Sequence, residues 1–200
     1  MADLFEEKAT DWDVNEMVRG LSSAIGSTIL NSVDLDKDMK VMDFGAGTGL
    51  ISSHVAPFVN KITAVDISEA MLNQLAAKPE LKGKVEPACQ NILEQPLDEE
   101  FDLIMSAMAM HHVEDTEKMI HTFAEHLKPG AFVALADLDL EDGTFHPADV
   151  EGVYHSGFDR EAFEKILEKN HFTNIRFENA HTVDKEGKEY SIFLAIAKKQ

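Results

Sequence analysis

The residues best suited to chemistry stand in two short runs. Val41-Met42-Asp43-Phe44-Gly45-Ala46-Gly47-Thr48-Gly49-Leu50 reads as a buried strand entering a glycine loop that opens a helix. Asp66 follows 21 positions after Gly45, closing a second apolar run, Ile62-Thr63-Ala64-Val65. Glycines at a strand-to-helix turn let a ligand approach the backbone, and an acid at the tip of the next strand can accept hydrogen bonds from both ribose hydroxyls. The pair predicts a nucleoside-bearing cofactor. A dinucleotide site wants G-x-G-x-x-G, whereas here Gly45-x-Gly47-x-Gly49 runs straight into Leu50. This spacing disfavours a nicotinamide oxidoreductase. Asp43 is expected on the ligand side of the first strand's end, where its carboxylate repels a pyrophosphate and suits a cationic or zwitterionic ligand.

Asp-Phe-Gly-Ala-Gly-Thr-Gly at 43–49 resembles the first motif of the class I S-adenosylmethionine (SAM) methyltransferases. The resemblance extends over nearly the whole chain and implies SAM as cofactor, with S-adenosylhomocysteine as product. It implies that Gly45, Ala46 and Gly47 face the methionyl part and the ribose. Asp66 would hold the ribose hydroxyls, Ile67 would pack on the adenine, and Met71 would line the same side. Many relatives carry an acid and an apolar residue after the third strand, where this chain has Asn91-Ile92. Asn91 can still accept a hydrogen bond through its amide oxygen. Ser106-Ala107-Met108-Ala109-Met110-His111-His112-Val113 resembles a segment of the small-molecule, ubiquinone-biosynthesis-like branch and puts Ala107 beside the methionyl group. Phe5 to Asp13 resembles an opening segment in which an aromatic residue, here Trp12, lies over the cofactor as part of a lid.

A sulfonium methyl is already activated, so such an enzyme works mainly by aligning the acceptor, and a base is needed only if the acceptor must lose a proton. Nine histidines supply candidates. His112, His146 and His155 are expected to face the acceptor, and His111 to pack or cap. Asp137, Asp139, His146 and His155 carry the side chains of a divalent-metal site, but their spacing is not diagnostic and no metal is expected.

The elements that must position these residues alternate from residue 41 onward. Strands are expected at 41–44, 61–66, 84–89, 101–107 and 131–136, with helices near 50–58, 69–78, 116–127 and 160–169. Two final strands near 174–181 and 190–197 flank the polar loop Asp184-Lys185-Glu186-Gly187-Lys188. The sum is an α/β Rossmann-like, seven-stranded sheet: five parallel strands plus a terminal antiparallel hairpin, helices on both faces, one domain over 1–200. Residues 1–40 are expected to form a helical lid, with Val14, Met17, Val18, Leu21, Ile25 and Ile29 at helical spacing. Residues 137–158 are expected to form an acceptor-site loop.

Composition narrows the partners. Eighteen basic against 37 acidic residues leave a net charge of −19, which argues against nucleic acid and favours a small-molecule acceptor. Transfer to tRNA or protein is the alternative, as is a SAM-binding module without catalysis. The single cysteine, Cys89, excludes an intramolecular disulfide and in its apolar run is expected to be buried. The acidic N-terminus lacks the layout of a signal peptide, and no apolar run approaches the ~18 residues of a membrane span. The chain reads as cytoplasmic.

Overall fold

The computed structural model describes residues 3, 5–147 and 149–200. Positions 1, 2, 4 and 148, within the expected lid and acceptor loop, lie outside the described residues.

Seven strands form one sheet in the order β3-β2-β1-β4-β5-β7-β6. β1 (Lys40–Phe44), β2 (Lys61–Asp66), β3 (Val85–Cys89), β4 (Phe101–Ala107) and β5 (Leu127–Leu138) run parallel. β7 (Lys188–Lys199) pairs antiparallel with β5 and with β6 (Phe172–Lys185). The two-residue connection of this hairpin, Glu186-Gly187, has positive φ at both positions (57° and 81°), the twist that a tight hairpin turn requires.

Alternate side chains of the central strands feed two cores. Leu103 and Met105 face one side, with Ile25 and Ile29 of α1 (Glu16–Ser32), Ile51 and Val55 of α2 (Leu50–Val55) and Leu72 and Leu75 of α3 (Glu69–Ala76). Ile104 faces the other, with Met119, Ile120 and Phe123 of α4 (Thr116–His126) and Phe163 and Leu167 of α5 (Arg160–Lys169). Four helices begin at side-chain caps: Asn15, Ser68, Asp115 and Asp159 each accept from a backbone N–H in the first turn, typically worth about 1 kcal/mol apiece. Among the described residues no helix is long and apolar enough to cross a membrane.

Several local expectations differ. The helix expected over 50–58 stops at Val55 and continues as a 3-10 turn, Ala56–Phe58, because Pro57 lacks the N–H an α-helix needs. Cys89 is exposed: β3 is the sheet edge, where an apolar run is covered only in part. Within 1–40, α1 is part of the core layer and only the residues before it reach the site. Val14 and Met17 continue its periodicity in sequence yet stand 69% and 45% exposed.

Parallel register sets the site. Phe44 pairs with Val65 and Ser106, and Ala107 with Ala136. The carboxyl ends of β1, β2, β4 and β5 thus share one edge, where open α/β sheets hold ligands.

Candidate active site

The glycine loop folds onto the tip of β2. Gly45 and Ala46 donate their N–H groups to the Val65 carbonyl at 2.9 and 3.1 Å. Gly47 N–H donates to Asp66 Oδ2 at 2.7 Å, and Ser68 N–H to Asp66 Oδ1 at 2.8 Å. Gly45 has φ +67°, and a Cβ there would stand 2.2 Å from that of Ala109. Gly47 has φ +53° but open space where its Cβ would be. The loop therefore leans on the β4 side at Gly45 and is open at Gly47. Each Asp66 oxygen keeps acceptor capacity for a further donor, and burial raises the carboxyl's pKa. Ile67, next along, is 66% exposed and offers an apolar face at the rim.

Asp43 lies deeper. It is 1% exposed and accepts from Ser52 Oγ at 2.7 Å. Burial pushes its pKa up to about 7; the Ser52 bond opposes this, and the charge on Asp66 adds to it. Met71 and Ile92 are buried at 2% and 1%, so both side chains support the floor beneath the rim. Asn91 is exposed, and its amide oxygen accepts from Leu93 N–H at 3.1 Å.

The N-terminal segment covers this edge. Asp3 accepts from Ser68 Oγ at 2.8 Å. Asp13 accepts from Thr48 Oγ1 at 2.5 Å and pairs with Lys78 Nζ at 2.6 Å. Between these anchors the Phe5 ring meets Trp12 and His112 edge-on, at centroid distances of 6.1 and 5.4 Å. Trp12 is half-buried.

After Ala107 the chain turns through Met108, at φ +56°, into the 3-10 turn Met110–His112. This turn brings together His111, His112 and, from the connection between β5 and α5, His146. The His111 and His112 rings are 4.2 Å apart, and that of His146 is 4.9 Å from His111 and 6.1 Å from His112. His112 Nδ1 donates to the Gly152 carbonyl at 2.6 Å. Burial and the neighbouring imidazoles lower the pKa values of His112 and His146 to about 4, so both are neutral at pH 7. His155 stands apart from these rings. Its Nε2 donates to the Val113 carbonyl at 2.9 Å and lies 3.2 Å from Thr116 Oγ1, which ties the connection to the start of α4.

That connection is stitched along its length. Asp139 takes a two-pronged hydrogen bond from Arg160 at 2.6 and 2.7 Å, and Tyr154 and His155 donate N–H groups to the His111 carbonyl at 2.9 and 3.3 Å. Asp139 and His155 are thereby engaged away from Asp137 and His146. Among the described residues no group of three or more His, Cys, Asp or Glu is placed to hold a metal ion. Sequence reasoning missed Asp3 and the partnership of His111 with Asp137, and it gave Phe5 and Asp13 no role beyond bounding the opening segment. Asp137 carried a signal of its own, as an acid at a strand's carboxyl end.

A family model described as a methyltransferase domain matches residues 41–130. An uncharacterized methyltransferase of Schizosaccharomyces pombe is 31% identical over 182 residues, 82% of this chain and 62% of that protein; the chain thus spans under two thirds of that relative's length. The ubiquinone biosynthesis O-methyltransferase of Pseudoalteromonas translucida is 31% identical over 107 residues, 51% of this chain and 44% of that protein. Among solved structures, the N-methyltransferase NodS of Bradyrhizobium japonicum, in complex with S-adenosylhomocysteine, aligns with a TM-score of 0.73 at 18% identity, covering 98% of this chain and 94% of that one. At that identity the likeness bears on the fold alone.

Proposed function

The chain belongs to the class I SAM-dependent methyltransferases, and from that premise we propose that it transfers a methyl group from SAM to a small-molecule acceptor. The observation that carries the reading is the Asp66 carboxylate. It is oriented by the Gly47 and Ser68 N–H groups, beside an open loop backbone and the exposed face of Ile67.

The residues present fit the cofactor. Asp66 has acceptor capacity for a ribose, Ile67 offers an apolar face for a base, and Asp43 and Asp66 together make the pocket acidic enough for a cation. When bound, the cofactor supplies an activated sulfonium methyl. This chain's part is to orient and to exclude water. Asp13 and Asp3 anchor a cover carrying Phe5 and Trp12, and the turn after β4 brings His112 beside His146 of the β5–α5 connection, the rings proposed to face the acceptor. Holding an acceptor in line there can contribute roughly 7 to 11 kcal/mol of barrier reduction in favourable cases.

A small acceptor accords with the net charge of −19, since a protein neutralising many phosphates needs a basic face. It also accords with the closing of the acceptor side by two segments of the chain's own. The test is transfer of a labelled methyl from SAM into a size-fractionated metabolite extract, with Asp66→Ala as control. Label in the small-molecule fraction that vanishes in the control is the expected result. Label confined to RNA or protein refutes the small acceptor, and SAM binding without label in any fraction favours a non-catalytic SAM-binding module.

A further inference from the structure

The end of the β6–β7 hairpin carries two lysines that the chemistry above leaves unused. Lys185 and Lys188 pair in register across the last rung, so both side chains leave the same face of the sheet. Like charges directly opposite each other destabilise a hairpin, and this placement calls for partners. They come from the connection between β5 and α5. Lys188 Nζ donates to Asp142 Oδ1 and Thr144 Oγ1 and stands 5.0 Å from the centre of the Tyr190 ring. Lys185 Nζ donates to the Phe145 carbonyl and stands 5.5 Å from the centre of the Phe145 ring. Tyr190, 4% exposed, completes the seat: its OH lies 2.7 Å from Thr144 Oγ1, and its ring meets that of Phe145 edge-on at 5.2 Å. The two ammonium groups thus engage different atoms of one arm, residues 141–146. The arm is a turn of its own, since Glu141 accepts from Thr144 N–H at 2.8 Å and Phe145 N–H at 3.2 Å. Its root is zipped: Leu140 N–H donates to the Phe158 carbonyl, Glu141 N–H to that of Ser156 and Phe158 N–H to that of Leu138, at 3.0, 2.9 and 2.9 Å. The arm ends in His146, whose Nε2 is buried without a hydrogen-bond partner among the described residues. A buried acceptor without a donor costs stability, so the seat of this ring has to be maintained from elsewhere.

We propose that Lys185 and Lys188 are positioning residues for the acceptor: together they latch the 141–146 arm onto the hairpin end and so hold Phe145 and His146 where an acceptor meets them. The proposal rests on the methyltransferase reading and adds residues that set acceptor affinity from outside the site. Neither lysine touches the reacting atoms. An isolated exposed ion pair holds little, whereas a network holds more. Here two ammonium groups, a carboxylate, two hydroxyls and two aromatic rings share one contact. The hairpin end is itself fixed, with Gly187 N–H donating to Asp184 Oδ1 at 3.1 Å, so the latch has a firm post. If the arm is seated in only a fraction of the molecules, acceptor affinity falls by that fraction. The latch therefore acts on acceptor affinity and leaves the chemical step and SAM affinity unchanged. The side chains of Lys188 and Asp142 are 42% and 66% exposed, so dissolved salt reaches the pair and weakens the hold.

The test compares the full chain with Lys185→Met, Lys188→Met and the double variant, which keep the aliphatic stems and lose the charges. Amide exchange by NMR needs no turnover. The Thr144 and Phe145 amides are expected to exchange several-fold faster in the double variant, with those of Leu140 and Phe158 unchanged. Transfer of a labelled methyl from SAM into the small-molecule fraction of a metabolite extract is then followed against dilution of the extract. Each single variant should need about two- to fivefold more extract for half its maximal rate, and the double variant more than either. The maximal rate and the SAM affinity by calorimetry should stay those of the wild type. Lys185→Arg and Lys188→Arg keep the charge and should behave as the wild type, and roughly 1 M sodium chloride should narrow the gap between the wild type and the Met variants. Asp142→Asn reaches the same contact from the arm, so adding it to Lys188→Met should cost little more than Lys188→Met alone. Thr144 and Phe145 amides that exchange as in the wild type, a loss confined to the maximal rate, Arg variants as impaired as the Met variants, or full additivity with Asp142→Asn overturns the proposal. If the wild type transfers nothing, the methyltransferase reading fails by itself, and the amide exchange decides the latch.

Discussion

Asp43→Asn should make the protein more stable at pH 8 than it makes it at pH 5. The Asp43 carboxyl is 1% exposed, and burial raises its pKa from 3.8 to about 7. A carboxyl whose folded-state pKa is raised binds more protons in the native than in the unfolded state between those two values. Stability is therefore lost as pH rises through that window. About 3 units at 1.36 kcal/mol each amount to about 4 kcal/mol lost above pH 7, of which about 1.5 is already lost at pH 5. Asparagine removes the ionisation and keeps an acceptor for Ser52 Oγ, which lies 2.7 Å away. Its amide N–H₂ adds a desolvation cost of about 1–3 kcal/mol that does not vary with pH. The measured quantity is thus the change with pH of the difference between variant and wild type. The variant should gain about 3 kcal/mol on the wild type between pH 5 and pH 8 in urea titrations. Titration of His112 and His146 cancels in that difference. A variant effect that is flat with pH, or that favours the wild type more at pH 8, would refute the reasoning. The same group ties stability to binding: a cation beside Asp43 lowers its pKa, so SAM binding near pH 7 should release a proton, read as a buffer-dependent heat.

Gly45→Ala should abolish SAM binding and lower stability more than Gly47→Ala, because only the first forces a Cβ to within 2.2 Å of another; Gly47→Ala faces the backbone penalty alone, about 1–2 kcal/mol. Paired calorimetry and thermal melts check this, and equal effects would count against the loop geometry. Asp13→Ala removes the contacts to Thr48 and Lys78 and should weaken SAM binding several-fold while exposing residues 5–14 to limited proteolysis; an unchanged cleavage rate speaks against a cover anchored there. His112 and His146, with pKa values lowered from 6.5 to about 4, hold their stabilising effect above pH 6.5 and lose it as pH falls towards 4, since the unfolded chain takes up those protons first. A His112→Phe/His146→Phe double variant should show a shallower loss of stability over that interval, and an identical slope would contradict the burial of both rings.

The meeting of the glycine loop with Asp66 was legible because each of its parts is local. A strand, its glycine loop and the acid on the next strand lie within 27 residues, Lys40 to Asp66, and parallel β-α-β order determines how they meet. The terminal hairpin was legible for the same reason, through Glu186-Gly187. What could not be read depends on three-dimensional neighbours. An apolar alternation around Cys89 does not reveal that β3 is the sheet edge. The helical spacing of Val14 and Met17 does not reveal that the core ends at Leu21. His111 and Asp137 are 26 positions apart, and only the register of β4 on β5, Ala107 against Ala136, brings the residues that follow into contact.

One short turn explains the division. Met110–His112 receives Phe5 from the N-terminal cover, Asp137 from β5, and the Tyr154 and His155 amides from the connection to α5. The three come from different parts of the chain: Phe5 meets the His112 ring, Asp137 the His111 ring and N–H, and the two amides share the His111 carbonyl. The proposed cofactor half of the site is made by the sheet's own repeating unit, whereas the proposed acceptor half is made where inserted segments meet that unit. Changes to the inserted segments can therefore alter what is methylated while β1, β2 and the glycine loop stay as they are. Exchanging the 141–156 connection for that of a relative should accordingly move acceptor preference while leaving SAM affinity within about threefold; a larger loss of SAM affinity would mean that the two halves are mechanically one.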